Sequence, residues 1–276
     1  MNPALRLVRD GRFVLAGLYL AVICLVASLG SLIVPYPADL VNSAHQLRPP
    51  GAGHLLGTDE FGRDILTRVM LGARLTILVS LSSVAIAVAG GTMLGVTAGY
   101  LGGIAELVAM RLVDAILSFH PFLLAIFVVT FLGPRVENLI ITIGILYIPQ
   151  YARITHVVTL AAKQQEYVQA AQAIGARTAR ILTRAILPNV LAPLTVQLSL
   201  GLGSAVLIES GLSFLGLGPP PPTPSWGRSI EQSARFMSVN PHAVIWPSVA
   251  VSLTILALNL LGDALRDNLD PRLRTL

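Results

Sequence analysis

Apolar residues along this chain come in long blocks, each near the ~20 residues that cross ~30 Å of hydrocarbon as a helix. Six such blocks, at 13–34, 75–98, 104–132, 138–155, 190–208 and 243–261, predict an all-α polytopic membrane protein with about six transmembrane helices. Around them lie a short head (1–12), an outer loop (35–74), an inner polar segment (156–189), a Gly- and Pro-rich outer loop (209–242) and a tail (262–276). Six spans put both termini on one side.

Local signals refine these blocks. The first follows a basic start, as a signal peptide does, but it is longer than a signal's apolar core. No small-x-small cleavage site precedes Pro35, so a retained helix is expected. DEFGRDILTRVMLGAR (59–74) predicts a helix lying along the membrane surface before the second span. In the third span, Arg111 and Asp114 stand one helical turn apart and can pair. His120-Pro121 falls inside the same span, and Pro149 permits a kink in the fourth. The run GPPPPTPSWG predicts a stiff extended element over the outer face. The lone cysteine, Cys24, lies in the first block and reads as a core-filling thiol.

Composition sharpens the membrane assignment. Only 12% of residues are charged and 54% are hydrophobic, with mean hydropathy +0.74, whereas soluble domains carry about 25% charged residues. The formal net charge of +5 comes from Arg and a single Lys, Lys163. No aromatic-interleaved basic patch of the kind that grips nucleic acid is present. Cationic residues instead follow the positive-inside rule. Twelve lie on the side of the termini and seven on the other, which predicts cytoplasmic termini and a cytoplasmic 156–189 segment. Lys163 sits in AAKQQ, without the Gly-rich run or the following Ser/Thr of a phosphate-binding loop. If ATP drives this protein, another chain hydrolyses it.

The inner segment, EYVQAAQAIGARTARILTRAILPN, is patterned differently from the rest. On a helix, Tyr167, Ala170, Ala171 and Ile174 share one face, while Glu166, Gln169 and Gln172 lie off it. Small residues at the centre of that face let another backbone approach closely. An interfacial helix lying on lipid would carry bulky Leu, Phe or Trp there. Gly175 is expected to stop the helix as a C-cap, and a second basic helix should follow. Pro188 marks the entry into the fifth span.

AAQAIG, with Pro188 thirteen residues after its Gly, resembles the EAA motif of ATP-binding-cassette importer permeases. HLLGTDEFGRDILTRVMLGAR, MRLVDAILSFHP, LPN, GLSFLGLGPPPPTPSWG and NLLGDALRDNLDPRL resemble the dipeptide, oligopeptide and nickel permease family, in its second-permease branch. The resemblance runs from about His54 to Leu273. It implies a type I importer transmembrane domain in a bacterial plasma (inner) membrane. A homologous second permease, two ATPase subunits that bind ATP and Mg, and an extracytoplasmic binding protein would be the partners. This chain would hold no cofactor of its own. The coupling residues implied are Glu166, Tyr167, Gln169, Ala170, Ala171, Ile174, Gly175 and Pro188. The chain departs from the pattern at Gln169, where an acid is usual, at Ala185, where many relatives carry His, and at His156, often Arg.

Other chemistry was weighed against this. His54, Asp59 and Asp64 could be imagined as metal ligands, but their spacings match no established ligand pattern. Asp64 reads better as a helix cap or as the partner of Arg68. Glu209, ionisable and at the end of the fifth span, is the candidate for the substrate pathway. Peptides, including glutathione-like ones, are the implied cargo, with nickel or a metal chelate as the alternative. An ATPase-independent secondary transporter would need buried acids or His within the spans, where only His120 lies clearly inside one. An intramembrane enzyme would need a nucleophile and base at matching depth, and none is found.

Overall fold

The computed structural model describes residues 10–269, so the arginines at 6, 9, 272 and 274 counted above lie outside the described residues. Among the described residues the chain is helical throughout, with no strands beyond two isolated bridges in the outer loop. We number the helices α1 (Gly11–Ile33), α2 (Ile65–Leu101), α3 (Gly103–Leu117), α4 (Pro121–Leu132), α5 (Val136–Lys163), α6 (Glu166–Ala173), α7 (Thr178–Phe214), α8 (Trp226–Ala234) and α9 (His242–Leu269).

Among the described residues four helices, α1, α2, α7 and α9, are each long and apolar enough to cross a membrane, and the bent pair α3–α4 passes the same test only when its two arms are counted as one span. The 28-residue α5 is not among them, because Tyr147, Pro149, Gln150, Tyr151, Arg153 and His156 dilute its apolar run. It sits at the centre instead, with Leu139, Ile143, Tyr151 and Ala152 fully buried.

The most extensive helix pairing is α2 with α5. Its cause is a run of glycines on α2 at four-residue spacing, Gly91, Gly95 and Gly99. Small residues at that spacing let membrane helices approach backbone to backbone. A β-carbon at Gly91 would stand 2.8 Å from the Ile148 carbonyl oxygen and 2.9 Å from the Ala152 nitrogen. One at Gly99 would meet the Thr159 side chain at 3.0 Å.

Several expectations change. The 59–74 stretch does not form a separate surface helix: α2 starts at Ile65 and runs unbroken to Leu101. Asp64 caps it by accepting from the Thr67 N–H at 2.8 Å, and no helix breaker intervenes before the second span. The third span is two helices bent by 90° at His120, because Pro121 takes the first position of α4. A proline there has no N–H to lose to helix bonding. Asp114 pairs with Arg153 of α5 rather than with Arg111. The basic helix expected after Gly175 merges with the fifth span into α7 through one wide turn at Leu182–Ile186. Pro188 explains that turn: its ring clashes with the carbonyl four residues back, at Arg184, and the widened backbone clears it. Cys24 is exposed on α1, not core-filling. The Pro-rich run does not stay extended, since it turns at 221–222 before α8.

α8 lay unseen inside the expected outer loop. Ser225 caps it, accepting from the Arg228 N–H at 3.4 Å. Trp226, with no exposed surface, donates its indole N–H to the Val69 carbonyl at 2.7 Å and lies against Gly72. The segment after α7 is therefore keyed onto α2.

Candidate coupling helix, buried carboxylate and outer loop

α6 follows α5 after only Gln164 and Gln165. Its C-terminus closes as expected: Gly175 has φ +75, and the Gly175 and Ala176 N–H groups bond to the Gln172 and Ala171 carbonyls at 3.0 Å. Most L-residues are strained at that φ, and glycine is not. The eight-residue helix stands on Val168, which has no exposed surface, with partly buried Ala171 and Ala176 beside it. Tyr167, Ala170 and Ile174 face outward, Ile174 at 85% exposure. The expected face is thus split: Ala171 leans on the protein's own core, and the free face is Tyr167, Ala170 and Ile174. Val168 went unnoticed in the sequence because its apolar neighbours outnumber it.

Side chains fix the tilt of α6. Lys163 donates to the Tyr100 carbonyl at 2.7 Å, and Gln172 reaches the Tyr100 hydroxyl at 3.4 Å. Tyr100 at the end of α2 is therefore a positioning residue that the pattern did not suggest. Asn189, next to Pro188, donates to the Tyr167 hydroxyl at 3.0 Å and ties α6 to α7. Gln169 donates its amide to the Gln164 carbonyl at 3.1 Å, a bond that an ionised acid cannot make. Glu166 is exposed at the first turn, where negative charge suits the helix dipole. His156 meets Glu106 of α3 at 2.7 Å, so it braces two helices within this chain. Ala185 packs against the core in the wide turn.

Glu209 has no exposed surface. Its carboxylate accepts from Thr76 and Ser213 at 2.8 Å and from Ser210 at 3.4 Å. It fastens α7 to α2. Thr76 is 133 residues away, so no local pattern could have shown the contact. Glu209→Leu strands those hydroxyl donors, and we expect it to cost roughly 1–3 kcal/mol. Glu209→Gln, which keeps an acceptor oxygen, is expected to cost less. Thermal unfolding in detergent ranks the two, and equal stability of the variants contradicts this role.

The segment between α1 and α2 is built on buried ion pairs. Asp59 accepts from the Arg63 side chain at 2.7 Å and from the Phe61 and Arg63 N–H groups at 2.9 Å, with Arg68 at 3.6 Å. Burial pushes the neighbouring Glu60 carboxyl up from its ordinary value. Arg63 continues to Gln232 of α8 at 3.1 Å, and Asn240 donates to the Thr58 carbonyl at 2.8 Å. Arg68 is thus turned to Asp59, while Asp64 holds His54 at 2.9 Å. Asp59 and His54 do not converge, and no group of three or more metal-ligating side chains occurs among the described residues.

Comparison with known proteins gives this arrangement its context. Residues 91–275 match the family described as binding-protein-dependent transport system inner membrane component. The chain is 38% identical over 271 residues to the glutathione transport system permease protein GsiD of Pectobacterium atrosepticum, covering 98% of this chain and 90% of that one. It is 39% identical over 251 residues to the dipeptide transport system permease protein DppC of Alkalihalophilus pseudofirmus (91% and 83%). It is also 39% identical over 263 residues to the di/tripeptide transport system permease protein DppC of Pseudomonas aeruginosa (93% and 87%). With its set of membrane-length helices and a match over most of its length, the chain belongs to the binding-protein-dependent transport system inner membrane components: it is a multi-pass transport permease subunit, not an enzyme.

Proposed function

We propose that this chain forms half of the translocation pathway for short peptides, di- or oligopeptides or glutathione-like, in an ATP-driven importer. A homologous permease supplies the other half, two ATPase subunits bind ATP and Mg at the cytoplasmic face, and an extracytoplasmic binding protein delivers the cargo. Both termini and α6 face the cytoplasm in this reading, which the bias of Arg and Lys supports. α5 then serves as a further span, shielded from lipid by its neighbours.

The observation that carries the proposal is α6 itself: a short helix seated on Val168 and presenting Tyr167, Ala170 and Ile174 outward. A partner that moves this face drags α5 on one side and α7 on the other, rocking whole helices as alternating access requires. Gln164 and Gln165 join it to α5, and the turn at Gly175 joins it to α7. The peptide cargo rests on the glutathione, dipeptide and di/tripeptide transporters to which the chain is similar.

The test is uptake of a labelled dipeptide by vesicles holding the complete complex. Uptake should need both enclosed ATP and the binding protein. Uptake driven by an ion gradient without ATP contradicts the proposal and points to a secondary carrier.

A further inference from the structure

We propose that His45 and His54 bind a divalent transition-metal ion, of the zinc, nickel and copper class, on the outer face of the protein. The two imidazoles come from different parts of the outer loop, His45 from the one-turn helix Ser43–His45 and His54 from the tight turn that Gly51 opens. His45 Nδ1 faces His54 Nε2 at 3.3 Å. Two nitrogens bound ~2.0–2.1 Å from one tetrahedral ion stand about 3.3 Å apart, so the pair already has the separation of two ligands on one ion. Neutral imidazole suits this class of metal.

The surroundings support that role. His54 Nδ1 meets the Asp64 carboxylate at 2.9 Å, which makes Nδ1 the protonated nitrogen and leaves the Nε2 lone pair free. A carboxylate behind a ligating histidine is the usual device for orienting the ring and raising its basicity. Asp64 is itself fixed by the Thr67 N–H at 2.8 Å. The Tyr36 ring lies tilted against His54 with centroids 4.8 Å apart, and its hydroxyl donates to the Gly53 carbonyl at 2.6 Å. Only His45 has to adapt, by carrying its ring proton on Nε2 so that Nδ1 also offers a lone pair. Arg48, which lines the same cavity, is turned to the Ala44 carbonyl at 3.0 Å. The imidazoles open into a cavity of about 330 Å³, room for water or for donor atoms of a small molecule to complete the coordination.

The ion would clasp two turns of the outer loop together, independently of which cargo the transporter carries. The test uses the complete complex purified without a polyhistidine tag, stripped of metal and titrated with Co²⁺, whose visible absorption reports imidazole ligation. Wild type should bind one Co²⁺ at this site and unfold at a higher temperature with the ion present. His45→Gln should weaken binding at least tenfold and abolish that upward shift, while the metal-free unfolding temperature stays that of wild type. Equal Co²⁺ affinity and spectrum in His45→Gln, or no binding by wild type at millimolar Co²⁺, overturns the proposal.

Discussion

Gly95→Leu is expected to leave almost no correctly assembled protein. A β-carbon at this position meets the Thr155 side chain at 2.7 Å and the His156 nitrogen at 2.9 Å, besides the Ala152 carbonyl. Two of these three obstacles are backbone atoms of α5, so no rotamer change relieves the clash. The helices must separate, and the separation is felt along the seam, from Ser83 against Gly144 to Gly99 against Thr159. Overpacking of a well-filled core typically costs about 1–3 kcal/mol, occasionally more. A leucine driven against backbone lies at the upper end of that range. Van der Waals packing is the main force holding helices together in lipid, and little else compensates for its loss. Monodisperse yield after detergent extraction is the measurement. Gly17→Leu on α1, where nothing lies within 4 Å of the new β-carbon, should extract like wild type. If Gly95→Leu extracts equally well, the close pairing of α2 and α5 is wrong.

The second large effect is functional and leaves the fold alone. Ala170→Trp should reduce ATP-driven uptake to background while the protein inserts and extracts normally. Ala170 is exposed between Tyr167 and Ile174, so an indole there projects away from the chain's own core. It occupies the space into which a partner surface would fit, and filling the centre of a docking face prevents close approach of everything around it. Ala171→Trp makes the comparison informative. Ala171 is partly buried against the core, so that variant should lose stability as well as transport. Unimpaired uptake by Ala170→Trp would sink the proposal that α6 is the coupling element.

How much of this was legible depends on the range of the interactions involved. Four of the six apolar blocks fall on α1, α2, α7 and α9, because hydrocarbon thickness acts on each segment separately. The stop of α6 at Gly175 was legible for the same local reason, a backbone angle that favours glycine. The buried face of α6 was not. An eight-residue helix is held by one or two side chains, and Val168 prevails over a richer apolar face because α5 and α7 leave a socket beneath it. Gly91, Gly95 and Gly99 carried a readable spacing, but the partner helix that makes the spacing matter is fifty or more residues away. Glu209 was identifiable as an ionisable group near the membrane. Ser210 and Ser213 lie one and four residues on and were readable as neighbours on the same helix, whereas Thr76 reaches Glu209 only through the packing of α2 on α7 and has no local trace.

The elbow at His120 has a consequence for the surrounding lipid. With 15 residues, α3 is about 22 Å long, and with 12 residues α4 is about 18 Å. Hydrocarbon is about 30 Å thick, so at a right angle neither arm reaches from one headgroup layer to the other. Set at a right angle, however, the two arms together measure about 28 Å from end to end, close to that thickness, so the pair can cross only with both arms tilted by about half a right angle. A tilted elbow takes up more membrane area than an upright helix, and that sideways reach is what the bend at His120 adds to the permease.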